Sequence, residues 1–92
     1  MTRTVYLNGE YVSENEAKIS VFDRGFLMAD AVYEVTSVLD GKLIDFKGHA
    51  KRLNRSLDEL DMKNPISYEE LLAVHRELVR VNNIDEGLVY LQ

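Results

Sequence analysis

The 92-residue sequence predicts an α+β fold, with helices packed on an antiparallel sheet built from hairpins. Three observations predict it. Two pairs of short apolar runs fold back at dipeptides suited to tight turns, Asn8-Gly9 and Asp40-Gly41. Two stretches of helical periodicity then follow one another, without the strand–helix–strand alternation that builds parallel sheets. A final apolar run, Gly87 to Gln92, reads as a strand that comes after both helices.

The elements follow in order. Thr4 to Val12 holds two apolar runs around Asn8-Gly9, whose tolerance of positive φ suits a two-residue type I′ hairpin. A long linker leads through Asp23-Arg24-Gly25 to the second hairpin, in which Val32 to Leu39 turns at Asp40-Gly41 into Lys42-Leu43-Ile44. From Phe46 to Asp61, Phe46, His49, Ala50, Leu53, Leu57 and Leu60 recur at helical spacing, while Lys51, Arg55, Asp58 and Glu59 fall opposite. Met62-Lys63-Asn64-Pro65 ends this helix, because proline disfavours helix in the residue before it and has no amide donor. Ser67 with Glu70 forms a capping box that starts a second helix, whose stripe is Tyr68, Leu71, Leu72, His75, Leu78 and Val79. Asn82-Asn83 and Gly87 close it.

Composition removes several function classes. With 16 acidic and 11 basic side chains the net charge is -5, which disfavours nucleic acid and anionic membranes as partners. Without cysteine there is neither a disulfide framework nor a thiolate metal site, and His49 and His75 lack the paired spacing of metal ligands, so no metal is expected. Apolar runs such as Phe26 to Ala29 and Leu88 to Leu91 fall far short of the ~20 residues of a membrane span. A cytoplasmic protein is expected. A chain of this length buries only about 60 to 65% of the surface it exposes when unfolded, so a covering partner surface is expected too.

The chemistry concentrates at Tyr33 and Glu34. Neighbours in a strand face opposite ways, so Glu34 shares a face with Val32, Thr36 and Val38, where a carboxylate needs a cation or several donors. On the first helix His49, Arg52 and Ser56 lie at i, i+3 and i+7 along one flank, and His49 or Arg52 is the expected partner. The planar fork of Arg52 also suits phosphate or carboxylate, against the plainer reading of a solvated surface arginine. Tyr33 is by the plainer reading a packing residue at a strand rim, and His75 a hydrogen-bonded core residue. The glycines are isolated and form no phosphate loop.

Taken together, Asp23-Arg24-Gly25-Phe26, Asp30-Ala31-Val32-Tyr33-Glu34-Val35, His49-Ala50-Lys51-Arg52-Leu53 and Gly87-Leu88-Val89-Tyr90-Leu91-Gln92 resemble the N-terminal part of the class IV pyridoxal-phosphate aminotransferases, across essentially the whole chain. The resemblance implies that residues 1–92 are the small N-terminal domain of a two-domain enzyme, with pyridoxal 5'-phosphate held in the crevice between domains. It implies that Arg52 binds the cofactor phosphate and that Tyr33 holds the substrate carboxylate. Glu34 and His49 become supporting residues near the cofactor, and Tyr90 lines the substrate pocket. Tyr33-Glu34-Val35 looks most like the D-amino-acid (D-alanine) transaminase branch, with branched-chain aminotransferases and aminodeoxychorismate lyases as alternatives. Ala31 departs from a glycine common in the family.

The substrates implied are an amino acid and a 2-oxo acid, and the implied assembly is a homodimer. The family's Schiff-base lysine, and the glutamate on its pyridine nitrogen, have no match among Lys18, Lys42, Lys47, Lys51 and Lys63 or elsewhere before Gln92. No catalytic residue is therefore expected in this chain, and the 92 residues alone are expected to be inactive. The alternative from another class is a non-catalytic binding or assembly module, which the codons after Gln92 would separate from the enzyme.

Overall fold

Asn8 (φ 50°) and Gly9 (φ 89°) both take positive φ, as do Asp40 (54°) and Gly41 (72°), the backbone that type I′ hairpins require. The first turn joins β1 (Thr4–Leu7) to β2 (Glu10–Ser13), and the second joins β3 (Glu34–Leu39) to β4 (Lys42–Leu43). These are the two hairpins that the sequence predicts. The strand expected from Val32 begins two residues later, at Glu34, so Tyr33 sits just ahead of it. The computed structural model describes residues 2–92, and the chain forms two compact units that divide between Ala31 and Val32.

The N-terminal unit carries the β1–β2 sheet, in register Val5↔Val12 and Tyr6↔Tyr11. The linker holds a short helix that periodicity did not reveal, α1 (Arg24–Met28). Its cap is the Asp23 carboxylate, which accepts from the amides of Gly25 (2.9 Å) and Phe26 (3.3 Å). Ala29 closes it in the left-handed conformation at φ 53°, and Arg24 is paired with Asp30 at 2.6 Å. With only five residues, it is too short to display a repeating apolar stripe.

The C-terminal unit is a three-stranded antiparallel sheet in the order β4-β3-β5, where β5 is Glu86–Leu91. Helix α2 (Phe46–Glu59) buries Phe46, Ala50, Leu53 and Leu57, the stripe expected from its spacing. It stops before the expected Asp61, because Asp61 turns left-handed (φ 55°) and the Met62 amide reaches back to the Leu57 carbonyl. Leu60 is consequently half exposed rather than part of the buried face. Helix α3 (Tyr68–Val81) begins at Ser67, whose hydroxyl accepts from the Glu70 amide at 3.2 Å and donates to the Glu70 carboxylate. A small core of Val38, Val79 and Val89, flanked by Leu43, Leu78 and Ile84, joins the sheet to α3.

His75 is 2% exposed, and its Nδ1 donates to the Leu71 carbonyl at 2.8 Å. That leaves Nε2 as a bare lone pair, buried without a partner, as is Thr36 Oγ1. Placing a proton on Nε2 would bury a charge with nothing to accept from it, so burial holds the His75 pKa below its ordinary value, against the opposing effect of the Leu71 bond. A depressed histidine contributes stability that is complete above the unfolded value of about 6.5 and is lost as pH falls toward the folded value. His75→Phe is therefore expected to flatten the decline in melting temperature that begins on acidification below about pH 6.5. Melts followed by circular dichroism across that range check this; an unchanged decline would assign it to other groups.

Candidate active site

Alternation along β3 sends Glu34, Thr36 and Val38 inward, all three buried, and leaves Ser37 and Leu39 exposed on the other side. Glu34, at 5% exposure, is thus a carboxylate within a protein interior. It is answered from one flank of α2, which is where the sequence spacing placed the candidate partners. Arg52 Nε donates to Glu34 Oε2 and Arg52 Nη2 to Glu34 Oε1, both at 2.8 Å, a bidentate pair. His49 Nδ1 lies 2.7 Å from Glu34 Oε1. Both candidates named from sequence engage the same carboxylate.

These bonds set the charges. The Arg52 guanidinium, and after it His49, hold the Glu34 carboxyl below the usual carboxylate range, overcoming the burial that would raise it. An ionised Glu34 only accepts, so the His49 nitrogen facing it must carry a hydrogen. Glu34 in turn raises the pKa of Arg52, with smaller contributions from Asp45 and Tyr33. Asp45 was not singled out from sequence; it precedes α2, and no local pattern marks its proximity to Arg52. The Arg52 side chain remains 55% exposed, and its Nη1 takes part in neither bond to Glu34. The arginine is anchored on one edge and open on the other.

Tyr33 and Tyr90 form a second group. Val35 pairs with Tyr90 in the β3–β5 ladder, so Tyr33 stands diagonally across from Tyr90 on the face away from Glu34. Their rings stack at 5.8 Å and 18°, both more than half exposed, and the Tyr90 hydroxyl donates to Gln92 Oε1 at 2.8 Å. The structure thus gathers the five candidates into two sets at one end of β3. Glu34, His49 and Arg52 are bonded together, and Tyr33 and Tyr90 are stacked together. All five lysines are exposed. No group of three or more histidine, cysteine, aspartate or glutamate side chains is placed to hold a metal among the described residues, and no helix there is long and apolar enough to cross a membrane.

Comparison with known proteins supplies a frame for this geometry. A family model described as amino-transferase class IV matches residues 31–92. A D-alanine aminotransferase of Staphylococcus haemolyticus is 43% identical over 88 residues, which is 96% of this chain and 31% of that protein. Among solved structures, a T.th. branched-chain amino acid aminotransferase with pyridoxamine 5'-phosphate superposes at TM-score 0.90 with 26% identity, covering 98% of this chain and 31% of that one. A branched-chain aminotransferase from Thermoproteus uzoniensis with norvaline gives TM-score 0.83 and 29% identity over 98% and 31% of the two chains. The chain thus spans about a third of the length of these relatives.

Proposed function

Because the chain belongs to the amino-transferase class IV family, we propose that it is the small N-terminal domain of a pyridoxal-phosphate-dependent D-amino-acid aminotransferase. The observation that carries this reading is the guanidinium of Arg52, fixed by a buried carboxylate along one edge and open along the other. Such a group suits a phosphate monoester: Nη1 can donate, and the Glu34 charge that would repel the anion is offset by three donors from two side chains. Glu34 and His49 keep Arg52 in position. Tyr33 presents a phenol to the substrate carboxylate, and Tyr90 restrains its ring. The cofactor, when bound, supplies the electron sink. A larger domain supplies the lysine, and these residues alone catalyse nothing.

The substrates are a D-amino acid and a 2-oxo acid, and the assembly is a cytoplasmic homodimer. The D-branch assignment rests on Tyr33-Glu34-Val35 and on likeness to the staphylococcal enzyme. A second reading, a branched-chain aminotransferase, has support from the two solved structures that superpose on nearly the whole chain. Transamination of 2-oxoglutarate by the gene product carrying this segment discriminates them: turnover with D-alanine supports the first, and turnover with L-leucine alone removes it. Tyr33→Phe is expected to raise the KM for D-alanine about tenfold with a smaller change in kcat, since a charge-assisted hydrogen bond to the carboxylate is lost. An unaltered KM would take the phenol out of the substrate site.

A further inference from the structure

Five of the six arginines are ion-paired: Arg3 with Glu14, Arg24 with Asp30, Arg52 with Glu34, Arg55 with Glu59 and Arg80 with Glu77. Arg76 makes no ion pair among the described residues, in a chain where acids outnumber bases by 16 to 11. It lines a groove of about 570 Å³ between α3 and the β3–β4 turn. Tyr68, Leu72 and Arg76 recur every fourth residue along one face of α3, and Lys42 and Leu43 of β4 line the same groove. Lys42 likewise lacks an ion-pair partner among the described residues, and Arg80 adds a third cation already shared with Glu77. Tyr68 packs on the buried ring of Phe46 at 5.5 Å, which holds an aromatic wall in place.

The structure thus has an aromatic-walled groove of small-molecule size and mixed apolar and basic lining, with two cations that lack ion-pair partners among the described residues reaching it from elements distant in sequence. None of Tyr33, Glu34, His49, Arg52 and Tyr90 lines it. We propose that this groove is a second ligand site that binds a small monocarboxylate with an aryl or branched alkyl tail. Arg76 and Lys42 hold the carboxylate, and the tail lies on Leu43, Leu72 and the Tyr68 ring. A dicarboxylate or a phosphate would match the cations and leave the apolar walls wet; a neutral apolar molecule would match the walls and leave the cations unused. Only the amphipathic anion satisfies both.

The test is 19F NMR of the protein labelled with 3-fluorotyrosine, titrated with 3-phenylpropionate, with the Tyr68 resonance assigned by Tyr68→Phe. The Tyr68 signal is expected to move saturably with a Kd of about 1 mM. The double variant Lys42→Gln, Arg76→Gln alters only exposed side chains, and it is expected to weaken this binding about tenfold, as is replacing the probe by the neutral 3-phenylpropanamide. Arg52→Gln is expected to leave the Tyr68 titration unchanged. A stationary Tyr68 signal overturns the proposal, whether or not Tyr33 and Tyr90 move. Equal titration by the amide, or by the double variant, overturns it as well.

Discussion

Glu34→Gln is expected to lower stability at neutral pH by about 2 kcal/mol, or roughly 10 °C in melting temperature for a chain of this size. The amide is nearly the same shape, so the loss reports chemistry rather than volume. Arg52 Nε, Arg52 Nη2 and His49 Nδ1 all point donors at this group, and an amide nitrogen can only oppose one of them with another donor. The size stays near 2 kcal/mol, below the upper range for broken buried pairs, because Arg52 is half exposed and water can resolvate it. The acid limb of the stability curve tests the same bonds. A carboxyl held below its ordinary value contributes stability that is complete above the unfolded value of about 4.3 and is lost as pH falls through the folded one. The variant should lack this part of the decline, which lies below that of His75. Melts at pH 7 and through the acid range decide it, and an equal melting temperature with an equal acid slope would mean that the triad contributes nothing to stability.

Arg52→Gln is expected to have the opposite profile: a modest effect on folding and a large one on binding. With half of its side chain in solvent, the arginine is itself readily replaced by water; its loss takes one donor from each Glu34 oxygen, and His49 still meets Oε1. A glutamine keeps hydrogen-bonding capacity and loses the charge, so pyridoxal-phosphate affinity of the gene product should fall tenfold or more, about the discrimination of one charge-assisted contact. Arg52→Lys should not rescue it, since an ammonium cannot grip Glu34 bidentately while offering a separate N–H to an anion. Titration of cofactor into apoprotein, followed by absorbance, measures both. Wild-type affinity in either variant would detach the guanidinium from the phosphate.

Much of this was legible because it is local. Asn8-Gly9 and Asp40-Gly41 specify their hairpins through φ, Ser67 specifies the start of α3 through its hydroxyl, and the stripe of Phe46, Ala50, Leu53 and Leu57 specifies the buried face of α2 through periodicity alone. Each signal lies within a few residues. The limits of that reading appear where the local signal is short or contested. Five residues of α1 are too few to show a period, and the last turn of α2 yields to a left-handed Asp61 that no spacing foretells.

The order of residues was enough to set Tyr33 and Glu34 on opposite faces of a strand, with position 34 beside Val32, Thr36 and Val38, and to imply that a carboxylate buried there needs a cation or several donors. Which cation answers it was a matter of packing. Both His49 and Arg52 had suitable spacing, and the placement of α2 against β3 showed that they share Glu34, with a guanidinium edge to spare. The same holds for the stacking of Tyr33 on Tyr90 and for the groove that Arg76 and Lys42 both line, residues brought together from elements far apart in the chain. Local chemistry is set by neighbours in sequence, whereas partnership at a distance depends on how helices dock on a sheet, a packing outcome that no window of residues contains.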